Sequence, residues 1–217
     1  MSVSDARPRT GNVTREASAT AGGNPALLGL PALLPGSLTL GLWLIGYLDT
    51  PTLPGVMIPA ITSSSGLFLL VACVWAARVG QGAAAAIFGT FAAFWLSFGF
   101  LLLGVINGWF GIATEPSLRA EQIREVQSTF VLSWLIVFAT LTVATLRLPL
   151  AFTAAFAVVC TTLALVLGFV VNGNPLFATL GGITTFVFCA IYAYIFVDAM
   201  TQELGGEAMP MGAPIQQ

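Results

Sequence analysis

Six stretches of the chain are each apolar for about the thickness of a bilayer, and this constrains the fold more than any other feature. A helix needs ~20 apolar residues to cross the hydrocarbon core. In lipid, only helices and closed barrels leave no backbone group unpaired. The stretches fall at 27–48, 56–77, 83–106, 128–146, 150–171 and 176–197. Composition agrees, since 57% of the 217 residues are apolar and 7% are charged, against roughly 25% charged in a soluble domain. The chain is therefore predicted to be an all-α integral membrane protein. A six-helix transmembrane domain at 24–200 lies between polar tails at 1–23 and 201–217. The first tail carries Arg7, Arg9 and Arg15 and no apolar core, so it reads as a disordered tail and not as a cleavable signal.

The connections are short and punctuated by turn residues. The longest, 107–127, holds Glu115, Arg119, Glu121, Arg124 and Glu125. Its mixed charges predict a solvated, partly helical loop. Arginine placement sets the orientation. With both termini inside, Arg7, Arg9, Arg15, Arg78 and Arg147 face the cytoplasm, and Arg119 and Arg124 face the other side. N-in, C-in is the orientation this favours, compatible with a bacterial plasma membrane.

The absences narrow the chemistry. There is no His and no Lys, and no charged residue falls well inside a span. Proton relays and voltage sensors are usually built from such groups. Cys73, Cys160 and Cys189 lack metal-ligand spacing, and they read as small apolar fillers. No catalytic residue, metal site or cofactor is expected, and the chain is not read as an enzyme. A net charge of -2 gives no basic patch for nucleic acid.

The polar groups left inside the spans are hydroxyls, among them Ser37, Ser65, Thr90 and the run 62–65. Most are expected to bond their own helix carbonyls, but the run is denser than a lipid-facing surface favours and suggests a face turned to protein or water. A path lined by hydroxyls and apolar rings suits a solute that is neutral or weakly held. Ser37, Thr90 and Ser65 are its polar candidates. Two stripes of small residues, Ala85, Gly89, Ala93 and Ser97 on the third segment and Gly181, Thr185, Cys189 and Ala193 on the sixth, allow close helix approach. Within or between subunits, both remain open.

The first segment opens with Asn24-Pro25-Ala26-Leu27-Leu28-Gly29-Leu30. The Asn side chain can accept from the free N–H groups of a first helical turn, and proline costs nothing at the first helical position. Pro31 and Pro35 follow inside the same apolar run. Each removes a helical hydrogen bond, and irregular backbone survives in a membrane only against protein or a water-filled cavity. This helix is therefore expected to line something.

That opening resembles the Asn-Pro-Ala-Pro-Leu-Gly-Leu signature of the acetate uptake transporter family. Further likenesses are Gly46-Tyr47 late in the first helix, Phe94-Trp95-Leu96-Ser97 in the third, Asn172-Gly173-Asn174 before the sixth, and Gly205, Pro210 and Gly212 in the tail. The resemblance spans Gly23 to Gly212. It implies a channel-like six-helix bundle that assembles as a homo-hexamer and moves acetate and related carboxylates, in many members with protons. It also implies a constriction of three apolar side chains from helices one, three and five. Carried over by distance from the motifs, these are Leu33, Phe91 and either Val158 or Val159. The sequence departs from the pattern at several places. Leu33 stands where Phe is common and Phe91 where Tyr is common. Leu28 replaces the second Pro, Pro31 and Pro35 are additional, and Gly41 and Leu44 replace polar residues. A more apolar constriction raises the cost of dehydrating an anion.

Three functions follow as alternatives. The first is transport of small monocarboxylates, chiefly acetate and in addition succinate, linked to protons. The second is a channel for neutral solutes such as ammonia, urea or undissociated acid. The third is a non-transporting membrane scaffold, whose small-residue stripes serve partner helices.

Overall fold

Asn-Pro steps start two of the helices, and glycines end several of them. The computed structural model describes residues 22–216, so the expected tail at 1–23 lies almost wholly outside the described residues. Among the described residues the secondary structure is entirely helical, and six helices are long and apolar enough to cross a membrane. Helix α1 spans Ala26–Leu44, α2 Phe68–Arg78, α3 Gly82–Ile106, α4 Pro116–Ala144, α5 Leu150–Asn172 and α6 Pro175–Glu203. A π-helical segment, Pro59–Leu67, runs directly into α2 and completes its span.

Local chemistry accounts for most boundaries. Asn24 Oδ1 accepts from the Ala26 N–H at 3.1 Å, and Asn174 Oδ1 accepts from the Leu176 N–H at 3.0 Å. The first helix stops at Leu44, four residues short of the apolar stretch. Gly46 takes φ +80° there. Its N–H donates to the Trp43 carbonyl and that of Tyr47 to the Leu42 carbonyl, the paired closure that a left-handed residue permits. The Gly46-Tyr47 likeness is thus a helix stop. The fourth helix reaches well beyond its apolar stretch, because it starts at Pro116 inside the connection expected to be partly helical. Glu115 accepts from the backbone of Ser117 and Leu118 and from the Ser117 hydroxyl. That cap lifts the charged stretch into a helical extension beyond the apolar span.

Pro31 and Pro35 do not interrupt α1, which runs unbroken through both. The π-helical segment supplies part of the reason. Ser65 Oγ accepts the Gly36 N–H at 2.9 Å, taking up a donor on the residue that follows Pro35. A Cβ on Gly36 would lie 2.8 Å from Ser65 Oγ and 3.2 Å from the Trp95 ring, so α1, the π-helical segment and α3 converge at a residue without a side chain.

The helices form a ring in chain order. Each packs on the next, and α6 returns to pack extensively on α1. The buried stripe of α6 serves this contact. A Cβ on Gly182 would lie 3.1 Å from the Gly41 carbonyl oxygen, and one on Gly181 3.6 Å from Leu44. The weak seam lies between α3 and α4, whose backbones hardly approach. Aromatic side chains fill it, with Phe94 5.5 Å from Trp134 and 5.7 Å from Phe138 between ring centroids. After α6 the chain folds back beneath the bundle. Tyr194 Oη donates to the Pro210 carbonyl, the Ala151 N–H to the Met211 carbonyl and the Gln216 N–H to the Leu146 carbonyl.

Candidate substrate path

Four cavities follow one another through the middle of the ring. At the face where α1 begins and α6 ends, a vestibule of about 690 Å³ is lined by Asn24, Gln81, Asp198, Glu203 and Met209, among others. Ala26, Leu30, Gln81 and Phe152 also line the next cavity, of about 410 Å³, which reaches Phe88 and Tyr192. Asp198 is buried, and it is fully engaged. Its carboxylate accepts the Met209 N–H at 2.6 Å and the Gln202 side-chain amide at 2.8 Å. This tie holds the returning C-terminal segment against the vestibule wall.

Beyond Tyr192 the space closes at a layer of apolar rings. Phe91 lies at its centre, with centroids 4.9 Å from Phe138, 5.7 Å from Phe156, 5.8 Å from Phe188 and 6.1 Å from Tyr192. Leu33 and Phe156 belong to the same level and are fully buried. The helical register shows why. On α1, Leu30 lines the cavity before the layer and Ser37 the cavity after it, with Leu33 between them. On α5, Phe152 and Val159 stand in the same relation to Phe156.

On the far side a central cavity of about 40 Å³ is lined by Ser37, Phe91, Trp95, Val159, Thr162 and Thr185 with other apolar residues. That is room for about one water. A fourth cavity, also about 40 Å³, shares Leu40, Phe94 and Leu163 with it and extends to Gln127 on α4. The hydroxyls of the central cavity are largely self-satisfied. Ser37 Oγ donates to the Leu33 carbonyl, Thr185 Oγ1 to the Gly181 carbonyl, and the Thr162 and Thr184 hydroxyls share a bond of 2.7 Å. No cationic side chain lines any of these four cavities among the described residues.

A family model described as the GPR1/FUN34/yaaH family matches residues 8–205. The chain belongs to this family. A search of solved structures finds the bacterial acetate channel SatP at 19% identity and a TM-score of 0.74, covering 88% of this chain and 99% of that one. At that identity the likeness shows a shared fold. No curated protein matches the sequence. The protein is a multi-pass membrane protein of a transporter and channel family.

The stretch that resembles the family signature sits at the vestibule. Asn24 and Ala26 line it, Pro25 is buried, Gly29 lies under the Phe88 ring, and Leu27 and Leu28 are half-buried. Of the other residues singled out from sequence, the structure places Leu33, Phe91, Ser37 and Val159 in or beside the closed layer and the central cavity. Val158 is half-buried and lines none of the four cavities. Ser65 is committed to the Gly36 N–H, and Thr90 Oγ1 donates to the Ala86 carbonyl of its own helix. Sequence reasoning missed Phe138, Phe156, Phe188 and Tyr192. Phe156 could have been found, because it lies one turn before Val159 on the same face of α5, where the side chains of residues three apart meet.

Proposed function

We propose that the protein moves small monocarboxylates, chiefly acetate, across the membrane through the row of four cavities, gated by the layer of Leu33, Phe91 and Phe156. The observation that carries this reading is the row of cavities itself, two on each side of one closed layer of apolar side chains. Membership of the family and the fold shared with an acetate channel support it. Acetate is the first candidate substrate; succinate, with two carboxylates to dehydrate, faces a higher barrier at the same layer.

The walls favour passage of the carboxyl group in its protonated form. An unpaired charge pays heavily for leaving water, no cationic side chain among the described residues lines the cavities, and Asp198 and Glu203 stand at the vestibule. Proton linkage then arises because the proton crosses on the substrate. The face bearing both described termini is assigned to the cytoplasm of a plasma membrane, following the arginine bias of five against two. Assembly as a homo-hexamer is proposed on the family resemblance.

The test is uptake of labelled acetate into proteoliposomes, with and without an inward proton gradient, against empty liposomes. Protein-dependent uptake that rises with the gradient is the expected result. Uptake indifferent to the gradient points to a channel for the anion, and uptake equal to that of empty liposomes overturns the proposal. The uncharged walls of the central cavity favour one second reading, a pore for neutral solutes such as ammonia or urea. Shrink–swell measurements with urea would separate it.

A further inference from the structure

The face where the vestibule opens carries two exposed arginines among the described residues. Arg78 stands three residues before Gln81, and Arg147 two before Pro149, and both Gln81 and Pro149 line the vestibule. An arginine at a helix end lays its apolar stem along the helix and keeps its charged head at the membrane surface. What lies beside the two stems differs. Arg78 ends a groove of about 370 Å³ on the outside of the bundle, lined by Leu70, Val71, Val74, Trp75 and Arg78 itself. Arg147 lines neither this groove nor any cavity of the row.

The groove runs along α2. Its five residues are spaced so that they fall on one face of the helix over two turns, and eight steps of helical rise make it about 12 Å long. Leu70, Val71 and Val74 are exposed. Trp75 forms a fixed part of the wall. Its indole N–H donates to the Gly22 carbonyl at 2.8 Å, and a Cβ on Gly23 would lie 2.7 Å from its ring. With that N–H engaged, the guanidinium of Arg78 is the one charged group of the lining. An apolar face in lipid calls by itself only for acyl chains. Here the apolar trough ends in a cation at the surface, and a phospholipid has the matching order, chains first and then a phosphate. Guanidinium and phosphate pair through two parallel hydrogen bonds.

We propose that this groove binds one anionic phospholipid, with an acyl chain against Leu70, Val71 and Val74 and the phosphate on Arg78. A net negative headgroup is favoured over a zwitterionic one, whose own ammonium offsets the attraction to Arg78. The site is independent of what the protein transports. It adjoins the vestibule, because Trp75 holds Gly22 beside Gly23, and Gly23 and Gln81 line that cavity. The bound lipid therefore steadies the wall of the mouth from outside.

The test uses the fluorescence of Trp75 in the full-length protein. It is reconstituted in phosphatidylcholine vesicles with a rising fraction of phosphatidylglycerol, brominated near the glycerol end of its chains to quench indoles in contact. The same series with brominated phosphatidylcholine measures ordinary solvating lipid, and the difference from Trp75→Phe isolates the signal of Trp75. Phosphatidylglycerol is expected to quench Trp75 saturably and at a lower fraction than phosphatidylcholine does. Arg78→Gln should raise its half-quenching fraction about fivefold, the effect of one arginine near an anionic surface. Arg147→Gln should leave it unchanged, and Arg78→Lys, which keeps the charge as a point, should lie between. Equal quenching by the two lipids in the wild-type protein overturns the site, as does an Arg78→Gln curve that does not move. Quenching by neither lipid overturns it too, and shows that protein, such as a second copy of the chain, covers the groove.

Discussion

The two halves of the cavity row are built in different ways. On the terminus side the cavities are wide, about 690 and 410 Å³, and carboxylates line the mouth. On the far side they are narrow, about 40 Å³ each, and aromatic rings form much of the wall. The wide half lies where helix ends meet a returning chain segment. Polar bonds, such as those of Asp198, tie those ends in place and leave room between them. The narrow half lies where α3 and α4 stay apart, and large side chains fill the gap layer upon layer. Width therefore follows from what joins the helices: polar ties at their ends or ring packing along their lengths.

The sharpest way to break this contrast is to join the halves. Phe91→Ala removes the ring at the centre of the closing layer. We expect acetate uptake to rise about tenfold, the effect of lowering a barrier by ~1.4 kcal/mol, and larger monocarboxylates to enter. Thermal melting should show a cost of about 3–5 kcal/mol for the lost aromatic packing. Uptake that keeps its rate and selectivity would place the barrier outside this layer.

Ser65→Ala tests the packing that holds the closed half together. It strands the Gly36 N–H, and an unsatisfied buried donor costs about 1–3 kcal/mol. The melting temperature should fall while the wide half keeps its structure. An unchanged melt would show that Gly36 finds a second acceptor.

Asp198→Ala acts on the other half. The Met209 N–H loses its acceptor, and the segment after α6 should become the first site of limited proteolysis, with uptake altered less than by Phe91→Ala. Equal protease resistance would mean that the bonds of Tyr194 and Ala151 suffice to hold it.

The smallest effect concerns the polar extension of α4. Hydrogen bonds from the Ser117 hydroxyl, and then from the Leu118 and Ser117 N–H groups, hold the Glu115 carboxyl below its ordinary pKa of 4.5. A depressed carboxylate stabilises the fold at pH above its ordinary value, and that contribution is lost as pH falls through the lowered one. Amide exchange at Ser117 and Leu118 should therefore stay slow at neutral pH and quicken once the pH drops well below 4.5. Glu115→Gln should remove this pH dependence.

Much of the fold was legible in the chain. Six apolar stretches gave six spans, and the Asn-Pro steps at 24 and 174 gave two helix starts. The extension of α4 was legible only in part, because the charged stretch reads as a partly helical loop and the Glu115 cap decides where the helix begins. Pro31 and Pro35 marked α1 as unusual. That Ser65 takes up the Gly36 N–H beside Pro35 could not be read, since it depends on a contact between residues 29 positions apart.

The sequence by itself determined that this chain crosses a membrane six times, that charge is kept out of the spans, and which helices carry small residues. Only the tertiary structure decided which side chains meet at the closing layer. The physical reason is the solvent. In water, an amphipathic stripe announces the buried face of a helix. In lipid the outward face is as apolar as the inward one, and packing selects the interface. Phe156, which faces Phe91, and Val158, which lines none of the cavities, are equally apolar in the sequence. The ring of helices alone tells them apart.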